Sequence, residues 1–164
     1  MDKKVIIEMC NNISKNTLIE TLSIKFTDIG EDFVKAKMPV NKSVHQPDGI
    51  LHGGATAALA ETVGSTAAFV LLKRKDIIVR GIEISTNHLK SISQGEITAI
   101  AKPVNLGRTI QLWEIKITDQ EGQLISISKL TTYTRIKKKW WKFFLYDLNL
   151  KKIITKKIKR WRAL

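Results

Sequence analysis

Apolar and polar side chains alternate with a period of two along several segments, and this pattern predicts β-strands. It is plainest over residues 34–40, where apolar side chains at even positions are separated by two lysines and a proline. The sequence Asp119-Gln120-Glu121-Gly122 predicts a hairpin turn between the last two strands. Further extended segments are predicted over residues 23–29, 77–90, 95–104, 108–118 and 123–134.

Three segments follow helical periodicity instead. Residues 4–13 predict a short helix, and residues 17–22 predict a further helical turn. Residues 55–72 are rich in alanine, contain no proline and predict a helix of about five turns. Because this segment is apolar on nearly all sides, it is expected to be buried. The order of elements predicts an α+β domain, with one long central helix packed on a strongly curved antiparallel sheet.

The size and composition of the chain are typical of a single globular domain. The 164 residues are 43% hydrophobic, which is enough for a substantial core. We find no signal peptide and no segment of roughly 18 apolar residues that would predict a membrane span. Cys10 is the one cysteine, which rules out an intrachain disulfide and a cysteine-based metal site. A cytoplasmic location is the resulting expectation.

The net charge of +13 is concentrated at the C-terminal end. Residues 135–164 hold 12 lysines and arginines and one acidic residue, so the preceding 134 residues carry only +2. Residues 1–137 are therefore predicted to form the domain, and residues 138–164 a basic, aromatic tail. The tail's tryptophans and its helically spaced apolar residues favour docking to an anionic membrane surface. Packing on its own domain and nucleic-acid binding remain alternatives.

Glu61 is the unusual residue of the long helix, because apolar residues surround it in the sequence. Burying even a neutral polar group without a partner costs about 2–7 kcal/mol, so a buried carboxylate indicates a functional role. A glutamate on the one solvent-facing stripe of the helix, or one paired with a lysine, would be an ordinary alternative. Ser65 follows one turn later on the same helical face.

The loop before this helix offers partners for a carbonyl group. Gly53 and Gly54 stand where the chain enters the helix, so their backbone N–H groups could form an oxyanion hole or merely make a tight turn. Gln46 could donate an amide hydrogen bond to a carbonyl or stabilise the loop. His45 and His52 could be acid–base groups or ordinary loop histidines.

Residues 45–55, His-Gln-Pro-Asp-Gly-Ile-Leu-His-Gly-Gly-Ala, are followed by Ala-Leu-Ala-Glu-Thr at residues 58–62. This combination closely resembles the hotdog-fold thioesterases of the phenylacetic-acid-degradation type. Within that family it is most similar to the 1,4-dihydroxy-2-naphthoyl-CoA thioesterases of menaquinone biosynthesis. The resemblance spans residues 18–135, and it includes segments 81–83, 87–90 and 105–109.

The resemblance implies roles for five residues. Glu61 would be the general base or the nucleophile, while Gln46 and the Gly53 N–H would polarise the thioester carbonyl. His52 would orient the substrate, and Ser65 would assist the carboxylate or a water molecule. The family uses no metal cofactor. Its members form homodimers, often joined as dimers of dimers, and each site uses both chains.

Family position also suggests which residues contact the coenzyme A substrate. The family often has His-Arg-Pro where this chain has Leu89-Lys90-Ser91, so a charge is kept but the bidentate fork of arginine is lost. A basic side chain at a strand end is also common on ordinary surfaces. A carrier-protein thioester, a non-catalytic acyl-binding role and a dehydratase activity remain alternatives. The candidate substrate-binding residues are Gly81, His88, Leu89, Lys90, Ser91, Asn105, Leu106, Gly107, Arg108 and Thr109.

Overall fold

A six-stranded antiparallel sheet and one long helix dominate residues 2–74 and 76–137, the part of the chain that the computed structural model describes. The sheet order is β1-β2-β4-β5-β6-β3, so the chain crosses the sheet after the long helix and places β3 at the far edge. The predicted α+β order is confirmed. The elements are α1 (Lys3–Ile13), α2 (Leu18–Thr21), β1 (Lys25–Ile29), β2 (Val34–Val40), α3 (Gly53–Leu71), β3 (Ile77–His88), β4 (Gly95–Leu106), β5 (Ile110–Thr118) and β6 (Leu124–Ile136).

The core lies between α3 and the concave face of the sheet. On β2 every even-numbered residue is buried, which confirms the predicted alternation. Met38, Leu59 and Trp113 are fully buried. Burying a side chain such as Met38 or Leu59 stabilises the fold by about 1.5–3 kcal/mol. The helix packs closely on the sheet at Gly64, where an added Cβ would lie 2.5 Å from Leu130 Cδ2.

Helix α3 is buried on one face only, so the expectation of a helix buried all round is wrong for the single chain. Glu61 and Phe69 lie on the open face and are exposed to solvent. Small alanine, serine and threonine residues occupy both faces, so composition alone could not distinguish them. The buried face consists of Thr56, Leu59, Ala60, Val63, Gly64, Ala67 and Ala68.

Helix α3 is also long and apolar enough to cross a membrane by length and composition, although the sequence pattern predicts no membrane span. The fold explains this apolar composition, because α3 packs against strands β2 to β6. Its apolar character is that of a core helix.

The β1 edge of the sheet contacts helix α1, whereas the β3 edge is open in the described part of the chain. At the β1 edge, the Asn11 side chain accepts a hydrogen bond from Phe26 N at 2.9 Å and donates one to Phe26 O at 3.0 Å. An ion pair between Lys3 and Asp28 also ties α1 to this edge, and it holds the pKa of Asp28 below its usual range. In the described chain, the 12-residue strand β3 pairs on one side only, with β6. Such an open edge is a template for pairing with another strand.

The basic tail of residues 138–164 lies outside the described residues. The division of the chain at residue 137 therefore stays a prediction from charge and composition.

Candidate active site

The first turn of α3 leaves one backbone donor available. Gly54 N donates to His52 Nδ1 at 2.8 Å, and the N–H groups of Ala55 and Thr56 donate to His52 O at 3.0 and 3.2 Å. Among the described residues, Gly53 N has no acceptor. It also lies at the positive end of the helix dipole. Gly53 is thus the candidate oxyanion donor, and Gly54 is committed to the helix cap.

His52 has a defined tautomer because it caps the helix. Its Nδ1 accepts the Gly54 N–H, so the proton of the neutral imidazole is on Nε2. In this arrangement His52 can donate a hydrogen bond from Nε2 but cannot act as a base through Nδ1. The geometry therefore agrees with an orienting role better than with proton abstraction.

Gly53 faces the end of strand β3. An added Cβ at Gly53 would lie 2.7 Å from His88 Nε2, so a larger residue there would displace the histidine ring. The contact is supported by a hydrogen bond from Leu51 N to Ile92 O at 2.8 Å. Together the two segments enclose a cavity of about 280 Å³ whose walls include Gln46, Gly53, His88, Leu89, Lys90 and Ser91.

Gln46 occupies a tight loop within this cavity. Its backbone N–H donates to Ile50 O at 2.9 Å, and its side-chain Nε2 donates to Asp48 Oδ2 at 3.0 Å. The turn is closed at Gly49, whose φ of 83° favours glycine. Since an amide nitrogen carries two hydrogens, the second one is left for a substrate carbonyl.

Glu61 belongs to a different and larger cavity of about 710 Å³. The walls are mostly apolar and come from α1, α2, α3 and β3; Ser65 lies beside Glu61 on them. An added Cβ at Gly81 would lie 2.7 Å from Glu61 Oε1, so the missing side chain on β3 makes room for the carboxylate. Cys10 also lines the cavity, but burial raises the pKa of its thiol, which disfavours the nucleophilic thiolate.

The prediction that Glu61 is buried is wrong for the single chain. Glu61 is exposed, and no ion pair or hydrogen bond of its side chain is found within residues 2–74 and 76–137. The alternative of a glutamate on the solvent-facing stripe of the helix describes its position. The open face of α3 is uncovered because the sheet contacts only the opposite face.

A single chain does not bring the predicted catalytic residues together. Glu61 is eight residues beyond Gly53 on one helix, roughly 12 Å along its axis. His52 lines a third cavity of about 320 Å³, together with His45. The five predicted residues are thus divided among three cavities. Glu61 and Ser65 line the first, Gln46 and Gly53 the second, and His52 the third.

The candidate coenzyme A contacts also fall into separate groups. His88 is opposite Ser126, and Ile110, just after the Arg108 turn, is opposite Tyr133. These partners are seven residues apart on β6, or roughly 23 Å. The segments 88–91 and 105–109 therefore lie at opposite ends of the sheet. Gly81 is opposite Thr132, so it lies near the level of Ile110, and it is beside Glu61.

Sequence reasoning missed several residues around Glu61. Ile13 and Leu18 from the N-terminal helices share the Glu61 cavity with Arg80 of β3 and Lys137, which follows β6. No local pattern could have indicated them, because they meet Glu61 only through the crossing of β3 to the sheet edge and the packing of the N-terminal helices.

Comparisons with known proteins identify the family of this chain. A family profile described as the thioesterase superfamily matches residues 48–126. The proofreading thioesterase EntH of Cronobacter turicensis is 44% identical over 126 residues, covering 77% of this chain and 91% of that protein. The 1,4-dihydroxy-2-naphthoyl-CoA hydrolase of Escherichia coli is 38% identical over 130 residues, covering 79% and 95% respectively.

A solved structure gives the same result for the fold. A thioesterase from Haemophilus influenzae superposes with a TM-score of 0.78 at 40% identity, covering 81% of this chain and 92% of that one. The long helix on a curved antiparallel sheet is the hotdog fold of these enzymes. The chain belongs to the thioesterase superfamily and is a thioester hydrolase.

Proposed function

We propose that the enzyme hydrolyses an acyl-CoA thioester with an aromatic acyl group, such as 1,4-dihydroxy-2-naphthoyl-CoA, to the free acid and coenzyme A. The supporting comparison is the Escherichia coli relative whose name carries that substrate. The observation that carries the proposal is the position of Glu61, an exposed carboxylate on a large cavity with mostly apolar walls. Such a cavity suits a flat apolar ring.

We further propose that each active site is shared between two copies of the chain. In one copy Glu61 lies roughly 12 Å along the helix from Gly53, too far for both to contact one carbonyl group. Two chains could pair antiparallel through their open β3 edges about a two-fold axis. That pairing sets the two α3 helices side by side and reversed, so that Glu61 of one copy faces the Gly53 end of the other.

The same pairing would unite the separated coenzyme A contacts. Because the two-fold reverses β3, the His88 and Lys90 end of one chain comes beside the Arg108 end of the other. A homodimer is therefore the minimal active form, and two dimers could join as a tetramer.

The chemistry follows from the donors and the carboxylate. The Gly53 N–H and the free hydrogen of the Gln46 amide stabilise negative charge on the thioester oxygen as its carbonyl is attacked. Glu61 either removes a proton from the attacking water or attacks the carbonyl carbon itself. His52 donates from Nε2 toward the substrate, and Ser65 supports the carboxylate from the next turn.

The direct test is hydrolysis of an acyl-CoA panel, with aromatic and aliphatic acyl groups and matched carrier-protein thioesters, measured as free-thiol release. We expect kcat/KM for the aromatic acyl-CoA compounds to exceed that for the aliphatic ones by at least about tenfold. If carrier-protein thioesters were cleaved in preference, the substrate would be a carrier-protein thioester and not an acyl-CoA. Binding of acyl-CoA without cleavage would contradict the hydrolytic role.

For the C-terminal tail we propose docking of the cytoplasmic enzyme to an anionic membrane surface. The support is its composition, with lysines and arginines interspersed with tryptophans and phenylalanines. Each basic residue near such a surface is worth about 1 kcal/mol. Replacing Lys151, Lys152, Lys156 and Lys157 by glutamine in the full chain should therefore release most protein from anionic liposomes in a pelleting assay, while hydrolysis is unchanged. Equal pelleting of variant and wild type would exclude the proposal.

A further inference from the structure

A chain of buried polar side chains runs from the core to the turn between β4 and β5. Gln111, Trp113 and Thr132 are fully buried, and Thr134 is 4% exposed. Trp113 Nε1 donates to Thr132 Oγ1 at 2.9 Å, and Thr132 Oγ1 donates to Gln111 Oε1 at 2.8 Å. These four residues form the buried network.

The network ends on the backbone of residues 107–109. Gln111 Nε2 donates to Gly107 O at 2.8 Å and to Thr134 Oγ1 at 3.2 Å. Thr134 Oγ1 donates in turn to Arg108 O at 3.1 Å, and Thr134 N donates to Thr109 O at 2.8 Å. The backbone carbonyl groups of residues 107, 108 and 109 therefore each accept a hydrogen bond from Gln111 or Thr134.

The turn has little room to adopt another shape. An added Cβ at Gly107 would lie 2.3 Å from Ile110 O, so the chain approaches itself too closely for any other residue. Every side-chain hydrogen of the buried network that is able to donate has an acceptor. A fully satisfied polar network of this kind fixes a single conformation, whereas apolar side chains would fill the same space without doing so.

What the turn presents to solvent is Arg108, whose side chain is exposed and makes no ion pair within the described residues. We propose that the buried network is a positioning device for Arg108, and that it holds the turn so that the guanidinium meets the phosphates of coenzyme A. Gln111 and Thr134 are its positioning residues. This inference rests on the proposed coenzyme A specificity of the same enzyme.

The conformation of the turn should affect binding of the nucleotide end of the substrate only. An arginine binds phosphate through two parallel N–H donors, and a turn held in one conformation places the guanidinium for this geometry. Loss of the network should therefore weaken contacts to the phosphates, which pantetheine lacks. A purely structural role would instead lower the free energy of unfolding and affect both ligands alike.

The test compares Thr134→Val, which removes the hydroxyl at nearly constant shape, with Thr134→Ser, which keeps it. Affinities for coenzyme A and for pantetheine are measured by calorimetry on the full chain. We expect Thr134→Val to weaken coenzyme A binding relative to pantetheine by roughly 2- to 10-fold, the scale of one or two hydrogen bonds, and Thr134→Ser to restore the ratio. Thr98→Val, the same change on β4 away from the turn, should leave the ratio as in wild type.

Arg108→Ala provides the second measurement. If Thr134 acts through Arg108, adding Thr134→Val to Arg108→Ala should lower the coenzyme A affinity no further. Equal ratios in Thr134→Val and wild type, or full additivity of the two changes, would overturn the inference. Because binding is measured without turnover, an enzyme that cleaves no thioester but shows these ratios would contradict the proposed function and support the positioning role.

Discussion

Replacing Glu61 by glutamine should lower kcat for thioester hydrolysis by about 10²- to 10⁴-fold, the range expected for an acid–base group. Glutamine keeps the size and shape of the side chain but neither accepts a proton nor attacks a carbonyl carbon. In the single chain Glu61 is exposed and has no partner among the described residues, so the isosteric change should leave each chain able to fold. The measurement is steady-state release of free thiol, which gives kcat and KM, with thermal unfolding as a check on the fold.

The matched control is Glu8→Gln, which removes the same charge from an exposed position on another helix. This variant should retain the kcat and KM of the wild type. A Glu61→Gln enzyme with kcat within twofold of the wild type would remove Glu61 from the chemistry. Its position on the open face of α3 would then be that of an ordinary surface glutamate.

Local patterns were sufficient to predict most of the fold. The alternation over residues 34–40 corresponds to a strand whose even-numbered residues are buried, and the Asp119–Gly122 turn joins β5 to β6. Element boundaries differ by a few residues; α3, for example, begins at Gly53 because His52 can cap it. These features depend on neighbours within a few positions of the sequence.

The environment of Glu61 could not be predicted in this way. Ala57 and Ala58 on the partly open side of α3 are the same residue type as Ala60, Ala67 and Ala68 on the buried side. A pattern of small residues therefore did not indicate which side faces the sheet. The exposure of Glu61 follows from tertiary packing, and in the proposed dimer a second chain covers it.

Contacts between residues far apart in the sequence also limited the prediction of the site. The motif at residues 45–55 indicated that Gln46 and Gly53 act together, and both line one cavity. The approach of His88 to Gly53 was not predicted, because it joins residues 35 positions apart through the β3 strand. For the same reason the sequence could not show that Lys90 and Arg108 lie at opposite ends of the sheet.

The second large effect concerns the sharing of the site between chains. Gln46→Ala removes a carbonyl donor and should lower kcat about 10²- to 10³-fold by itself. When a Gln46→Ala chain pairs with a Glu61→Gln chain, one of the two shared sites carries both changes and the other carries neither. The mixed dimer should therefore recover about half the activity of the wild-type dimer, although both parents are nearly inactive.

The most direct test of a shared active site is the activity of that mixed dimer. The two full-length variants are co-expressed with different affinity tags, the dimer carrying both tags is purified, and its kcat is compared with those of both parents and of a doubly tagged wild-type dimer. A site built from both chains predicts about half the wild-type kcat. If each chain instead carried a complete site, both sites of the mixed dimer would be defective, so activity as low as that of the parents would contradict a site shared between two chains.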